Sequence, residues 1–129
     1  MYTFKKAEKL NSKVLIEKLF ENGRSFTTHP FRVTWLSCSI NTGFPAQIGF
    51  AVPKKNFKRA VDRNKLKRVG REAYRKHKQK LYTYLTEQNK SIIIMLIYTA
   101  KEQTKYNVVE SKINTIIDRL IKETSNELD

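Results

Sequence analysis

Half of the chain's 26 Lys and Arg residues lie between Lys54 and Lys80, in the run KKNFKRAVDRNKLKRVGREAYRKHKQK. Only Asp62 and Glu72 oppose them there, so this run carries +11 of the chain's formal +14. Concentrating one sign of charge in this way costs self-repulsion and calls for a polyanionic partner. The spacing says how such a partner would be met. Arg59, Arg63, Lys67, Arg71 and Arg75 recur at i, i+4, so on a helix they form one continuous stripe. The arc from Arg63 through Lys67 and Arg71 to Arg68 covers about 140° of the helix surface. Leu66, Val69, Gly70 and Ala73 fall together on the opposite side, a narrow face suited to packing on a sheet. Like charges at i, i+4 each destabilise an isolated helix by a few tenths of a kcal/mol. An ordinary solvated face mixes Glu with Lys; here acids are almost missing, and phosphate is the partner that fits.

The chemistry that the chain could perform by itself is narrower. A metal-dependent nuclease needs clustered carboxylates, and acid–base cleavage needs paired histidines or their equivalent. The acids are scattered: Glu8, Glu17 and Glu21 early, Asp62 and Glu72 in the basic run, the rest from Glu87 onward. Asp62 reads as a helix-start residue and Glu72 as an internal partner for Arg68, Arg75 or Lys76. His29, His77 and the single Cys38 are too few and too separated for a zinc site, and Cys38 reads as a buried strand residue. No residue is therefore assigned a catalytic or metal-binding role. A lone cysteine suits a reducing compartment. The longest apolar run, 92–98, is far short of the ~20 residues of a spanning helix, and MYTFKKAEK has no signal-peptide core. The expectation is a soluble cytoplasmic protein without a membrane partner.

The elements that must position the basic run can be read in order. One domain over 1–129 is expected, with 1–10, a polar arm bearing Lys5, Lys6 and Lys9, and 125–129 flexible. Asn11 or Ser12 caps a first helix whose apolar face is Leu15, Ile16, Leu19 and Phe20, and Gly23 ends it in the left-handed conformation. Residues 24–28 read as a short strand. Phe31 to Ile40 reads as a longer one, with Phe31, Val33 and Trp35 alternating against Arg32, Thr34 and Leu36. Asn41–Pro45 reads as the loop of a hairpin. In the next strand Ile48, Phe50 and Val52 share one side, while Gly49 and Ala51 leave the other open to close approach by a backbone, a helix or an RNA strand. Pro53 and the Lys54-Lys55 pair lead into the basic helix, whose spacing continues in part to Leu85. SIIIMLIY, 91–98, reads as a buried central strand. Asn107 with Glu110 fits a capping box for a last helix with Val109, Ile113, Ile116, Ile117 and Leu120 on one face. The fold class is α/β (α+β): a two-layer sandwich in the order αβββαβα, with about four strands and the basic helix as a β-α-β crossover.

The segment VPKKNFKRAVDRNKLKRVGREAYR resembles the signature of the bacterial ribonuclease P protein subunit. That family has a Lys-Lys pair after a strand, an Arg-Asn-Arg core, then Lys-Arg, two spacers and Arg-Glu-Ala-aromatic. Here these are Lys54-Lys55, Arg63-Asn64-Lys65, Lys67-Arg68 and Arg71-Glu72-Ala73-Tyr74. Lys65 stands where the family usually has its second Arg, which keeps the charge but not the bidentate fork. The resemblance implies a left-handed crossover and a catalytic RNA subunit that carries the active site and Mg²⁺. The protein would bind that RNA and the 5′ leader of precursor tRNA during endonucleolytic removal of the leader, and would be inactive alone. Carried over by position, with the rest of the stripe, the RNA-binding residues are Lys54, Lys55, Arg59, Arg63, Asn64, Lys65, Lys67, Arg68, Arg71 and Arg75. Phe20, with Arg32 or Thr34 from the facing strand, would border a cleft for the leader; a one-residue shift of register would substitute Val33 and Trp35. Core packing is the competing role for Phe20. Ile16 stands where another Phe is common. Two other classes compete: a ribosomal or other structural RNA-binding protein, and a DNA-binding regulator. The second would carry base-reading Gln, Ser and Thr on its recognition helix, so DNA is not expected.

Overall fold

The computed structural model describes residues 4–127. In chain order these are a short 3-10 turn at Lys6–Glu8, then α1 Lys13–Asn22, β1 Arg24–Thr28, β2 Phe31–Ser37, β3 Ala46–Ala51, α2 Ala60–His77, α3 Gln79–Glu87, β4 Ile92–Tyr98 and α4 Tyr106–Ser125. The four strands form one mixed sheet in the order β1-β2-β4-β3. β1 pairs with β2 and β2 with β4 antiparallel, whereas β3 lies parallel to β4. The β-α-β crossover expected around the basic helix is therefore present, and it runs through two helices, not one.

The order of the strands corrects the hairpin. β2 and β3 are consecutive in the chain but do not pair; β4 lies between them. The reason is burial. Ile92 to Leu96 are all buried, and a strand apolar on both sides is most stable at the centre of a sheet covered on both faces. On one face Phe31, Val33, Trp35, Ile48, Ile94 and Leu96 pack with Leu66, Ala73, Ile113, Ile116 and Ile117 of α2 and α4. The other face has a smaller cluster: Leu10, Leu19, Ile93 and Met95, flanked by Leu15, Ile16 and Leu36. All five expected apolar residues of α4 are buried.

Several local expectations are also revised. Ser12 caps α1 by accepting from Leu15 N. Gly23 follows it at φ −75°, ψ 161°, which is extended and not left-handed. Its requirement is space: a Cβ there would lie 2.4 Å from the Leu19 carbonyl oxygen and 3.0 Å from Thr34 and from the Trp35 carbonyl oxygen. β2 stops at Ser37, so Cys38 sits half-buried beyond the strand. α4 begins at Tyr106 after Lys105, with no side-chain cap, so the Asn107–Glu110 box does not form. Glu110 instead accepts from Tyr106 Oη and faces His77 Nε2 at 3.3 Å, joining α4 to α2.

Both terminal stretches make contacts with the rest of the fold over their described parts. Residues 4–10 are docked: Leu10 N donates to Ile48 O, and Lys9 bridges Ile48 in parallel at the β3 edge. The close approach that Gly49 permits is made chiefly by the Met95 side chain, 2.9 Å from its Cβ position, with Leu10 O of this arm at 3.4 Å. Glu8 is fully buried and paired with Lys78, and its Oε1 also accepts from Tyr82 Oη at 2.8 Å. At the other end Glu127 accepts from Ser37 Oγ at 2.5 Å.

Candidate nucleic-acid interface

α2 is held on the sheet by its narrow face. Leu66, Gly70, Ala73 and Tyr74 are buried, Val69 partly so, in agreement with the sequence pattern apart from Tyr74, which that pattern did not place. Gly70 lies directly on Phe50 of β3, where a Cβ would come within 2.7 Å of the ring. Burial pushes the Tyr74 phenol well above its ordinary range, with the Tyr82 hydrogen bond acting in the other direction.

The outer side of α2 carries the expected cations. Asn64, Lys65 and Arg68 are exposed, and Lys67 and Arg71 are half-exposed along the flank nearest β3. Lys65, Lys67, Arg68 and Arg71 form no ion pair among the described residues. Three members of the stripe behave differently. Arg59 precedes the helix at its N-cap and lies 4.0 Å from Asp62. Arg63 donates from Nη1 to the carbonyls of Phe57 and Lys58 at 2.8 and 2.9 Å, bracing the loop that displays Lys54 and Lys55. That loop is pinned by buried Phe57, whose ring lies 5.8 Å from that of Tyr98. Arg75 is paired with Glu72, which holds the Glu72 carboxyl below its usual range.

On the opposite face of the sheet the register is settled. Trp35 and Val33 are fully buried against the helices, and Trp35 Nε1 donates to Glu123 at 2.8 Å, so neither borders a cleft. Arg32 and Thr34 point to the α1 side, as expected. Arg32 is exposed, in a row with Ile97 of β4 and Ala51 of β3 that α1 leaves partly open. Thr34 is only 4% exposed and its hydroxyl meets Ser25 Oγ at 3.0 Å, beneath the end of α1. Phe20 is 52% exposed and belongs to neither apolar cluster. Leu19 fills the core position beside it. The face thus offers an exposed ring on α1, an exposed guanidinium on β2, and beside it Ala51, which the strand pattern left open to close approach, and Ile97, which it did not name. Their small or aliphatic character fitted a core strand equally well, and only the cross-strand register separates the two roles.

A four-stranded sheet that carries a strongly cationic helix on one face, and an exposed aromatic ring and guanidinium on the other, fits an α+β nucleic-acid-binding protein. The family model for ribonuclease P matches residues 4–121. The chain is 31% identical over 115 residues to the ribonuclease P protein component of Porphyromonas gingivalis, covering 89% of this chain and 84% of that protein. It is 40% identical over 88 residues to that of Chlorobium phaeobacteroides, covering 66% and 60%. Among solved structures, the ribonuclease P protein of Thermotoga maritima superposes with a TM-score of 0.68 at 26% identity, covering 87% of this chain and 96% of that one. The Staphylococcus aureus protein gives 0.60 at 25%, covering 92% and 96%. The chain belongs to the ribonuclease P protein family, and its role is that of the protein subunit of this tRNA-processing endoribonuclease.

Proposed function

We propose that this subunit binds the catalytic RNA through the outer face of α2 and the Lys54–Arg59 loop, and holds the 5′ leader of precursor tRNA in the groove beside α1. The observation that carries this reading is the set Lys65, Lys67, Arg68 and Arg71, four cations in two helical turns with no acid paired to them. A polyphosphate backbone removes their mutual repulsion and releases counterions as it binds. Asn64 adds an amide that donates to phosphate or sugar oxygens without charge. Lys65 offers a point charge where a guanidinium would grip two oxygens at once. Lys54, Lys55, Arg59 and Arg75 extend the surface at its two ends, and Arg63 acts chiefly by holding the loop in place.

In the groove, Phe20 gives a face for stacking an unpaired base and Arg32 a cation for the adjoining phosphate. Thr34, covered and already hydrogen-bonded, supports the strand more than it touches the leader. Among the described residues no group of three or more His, Cys, Asp or Glu comes together. In this proposal Mg²⁺ and the hydrolytic step belong to the RNA, and this chain's part is to neutralise phosphates and orient the leader. No helix among the described residues is long and apolar enough to cross a membrane, and the site of action proposed is the cytoplasm. The test is reconstitution. The chain alone should not cleave precursor tRNA, and adding it to a ribonuclease P RNA at low Mg²⁺ should restore cleavage. Sustained turnover by a ribonuclease-treated, RNA-free preparation refutes the division of labour.

A further inference from the structure

Residues 4–10 hold a second set of cations. Lys5, Lys6 and Lys9 are exposed, and the one acid among them, Glu8, is turned inward and fully buried. There it is paired with Lys78, accepts from Tyr82 Oη at 2.8 Å and accepts from the Lys5 backbone N at 2.7 Å. The outward side of the arm is therefore purely cationic, although its composition is mixed.

The arm is also aimed. Phe4 sets its ring edge-on to Tyr74 at 5.9 Å, and Gln47 Nε2 donates to Ala7 O at 3.1 Å. Tyr74 follows Lys67 and Arg71 by seven and three residues, which at about 100° per residue puts all three within about 60° around α2. The arm thus abuts the flank of α2 from which Lys67 and Arg71 project. Holding three lysines beside that flank adds like-charge repulsion, and the buried Glu8–Lys78 pair keeps the arm there against it.

We propose that the arm is a second phosphate-binding element, which carries the α2 surface across Tyr74 and contacts the same RNA, the catalytic subunit, through Lys5, Lys6 and Lys9. This rests on the assignment of α2 to that RNA. The partner is the RNA backbone: three flexible ammonium groups around a short turn offer point charges and no fixed pattern for reading bases.

The test uses the full chain and a ribonuclease P RNA, with affinity measured from about 50 to 200 mM monovalent salt. The triple variant Lys5→Gln, Lys6→Gln, Lys9→Gln should flatten the slope of log affinity against log salt by about 2 to 3, since each lost phosphate contact removes about 0.7–0.9. Its melting temperature should change little, because the anchors are Phe4, Glu8 and backbone groups and of the three lysine side chains only Lys9 meets one of them, 5.8 Å from the Phe4 ring centroid. The triple Lys→Arg variant should keep the parental slope. An Arg68→Ala/Arg71→Ala protein measured in parallel separates the two readings. If that double variant flattens the slope and the lysine variant does not, the arm proposal is overturned alone. If neither changes it, the assignment of α2 falls as well. A loss seen only with leader-bearing precursor, and not with the catalytic RNA by itself, overturns the choice of partner.

Discussion

α2 and α4 do the same structural work and show opposite surfaces. They have 18 and 20 residues, lie against each other, and cover the same face of the sheet with a narrow apolar stripe. Outside that stripe α4 is balanced in charge, with Glu110, Asp118 and Glu123 set against Lys112, Arg119 and Lys122. Arg119 pairs with Glu123 at 3.0 Å, Asp118 with Lys80 at 2.6 Å, and Thr124 O accepts from Lys90. On α2 Arg75 pairs with Glu72, Arg59 lies 4.0 Å from Asp62, Arg63 donates to two carbonyls and His77 faces Glu110, while Lys65, Lys67, Arg68 and Arg71 form no ion pair among the described residues. Packing therefore does not account for the charge on α2, since its neighbour packs as well with a balanced surface. What an unbalanced helix lacks inside the molecule it must find outside.

The difference can be broken at its strongest point by salt. If about six phosphates meet the α2 surface, affinity for the RNA should fall by ~10³ between about 50 and 200 mM monovalent salt. A nearly flat titration would mean that α2 is no more a binding surface than α4. Next in size are single truncations within the open stripe. Arg68→Ala and Arg71→Ala should each weaken RNA binding by roughly 1.5–3 kcal/mol, the worth of a charged hydrogen bond, with little change in melting temperature. Filter binding and thermal melts on the same preparations check both halves.

The groove beside α1 sharpens the contrast, because it should respond to the leader alone. Phe20→Ala should cost about 1–3 kcal/mol of affinity for precursors with a leader of several nucleotides and nothing for mature tRNA. Exposure of that ring predicts a melting point close to the parent's; a lower melting point with uniform loss for every RNA would return Phe20 to the core. The smallest effect belongs to α4. Lys112→Ala and Lys122→Ala, cations on its outer face, should leave RNA affinity and its salt slope within error and change stability by no more than about 0.5 kcal/mol.

What could be read in the sequence follows from how local each signal is. The α2 stripe, the buried face of α4 and the central place of β4 are each written within about 20 residues of chain by periodicity or by an unbroken apolar run. The insertion of β4 between β2 and β3 is not, because the alternation in Phe31–Leu36 fixes which side faces the core and says nothing of which strand lies alongside. Glu8 and Lys78 are 70 residues apart. In the sequence Lys78 is one more cation in a basic run, and no periodicity distinguishes a lysine that is to be buried. The Asn107–Glu110 box failed for a related reason: Glu110 is taken up by Tyr106 within α4 and by His77 of α2, and the second contact exists only once α4 lies beside α2. On the α1 side of the sheet, the register uncertainty vanished once Trp35 was in the core, but the row of Arg32, Ile97 and Ala51 exists only once three strands are in place.

Gly70 sets the height at which α2 is mounted. Glycine inside a helix costs about 1 kcal/mol relative to alanine, yet here it lets the helix rest against the Phe50 ring, whose Cδ1 and Cε1 lie 2.7 Å from where a Cβ would be. Every cation on the far side inherits its reach from that seat. A methyl group at this point would act as a shim, lifting the middle of α2 off β3 while the Phe57 loop and the Tyr74 end stay fixed, and so tilting the whole row of charges against the rigid spacing of RNA phosphates. The helix itself would gain from the exchange. What would be lost is the alignment of the backbone positions from which the cations project.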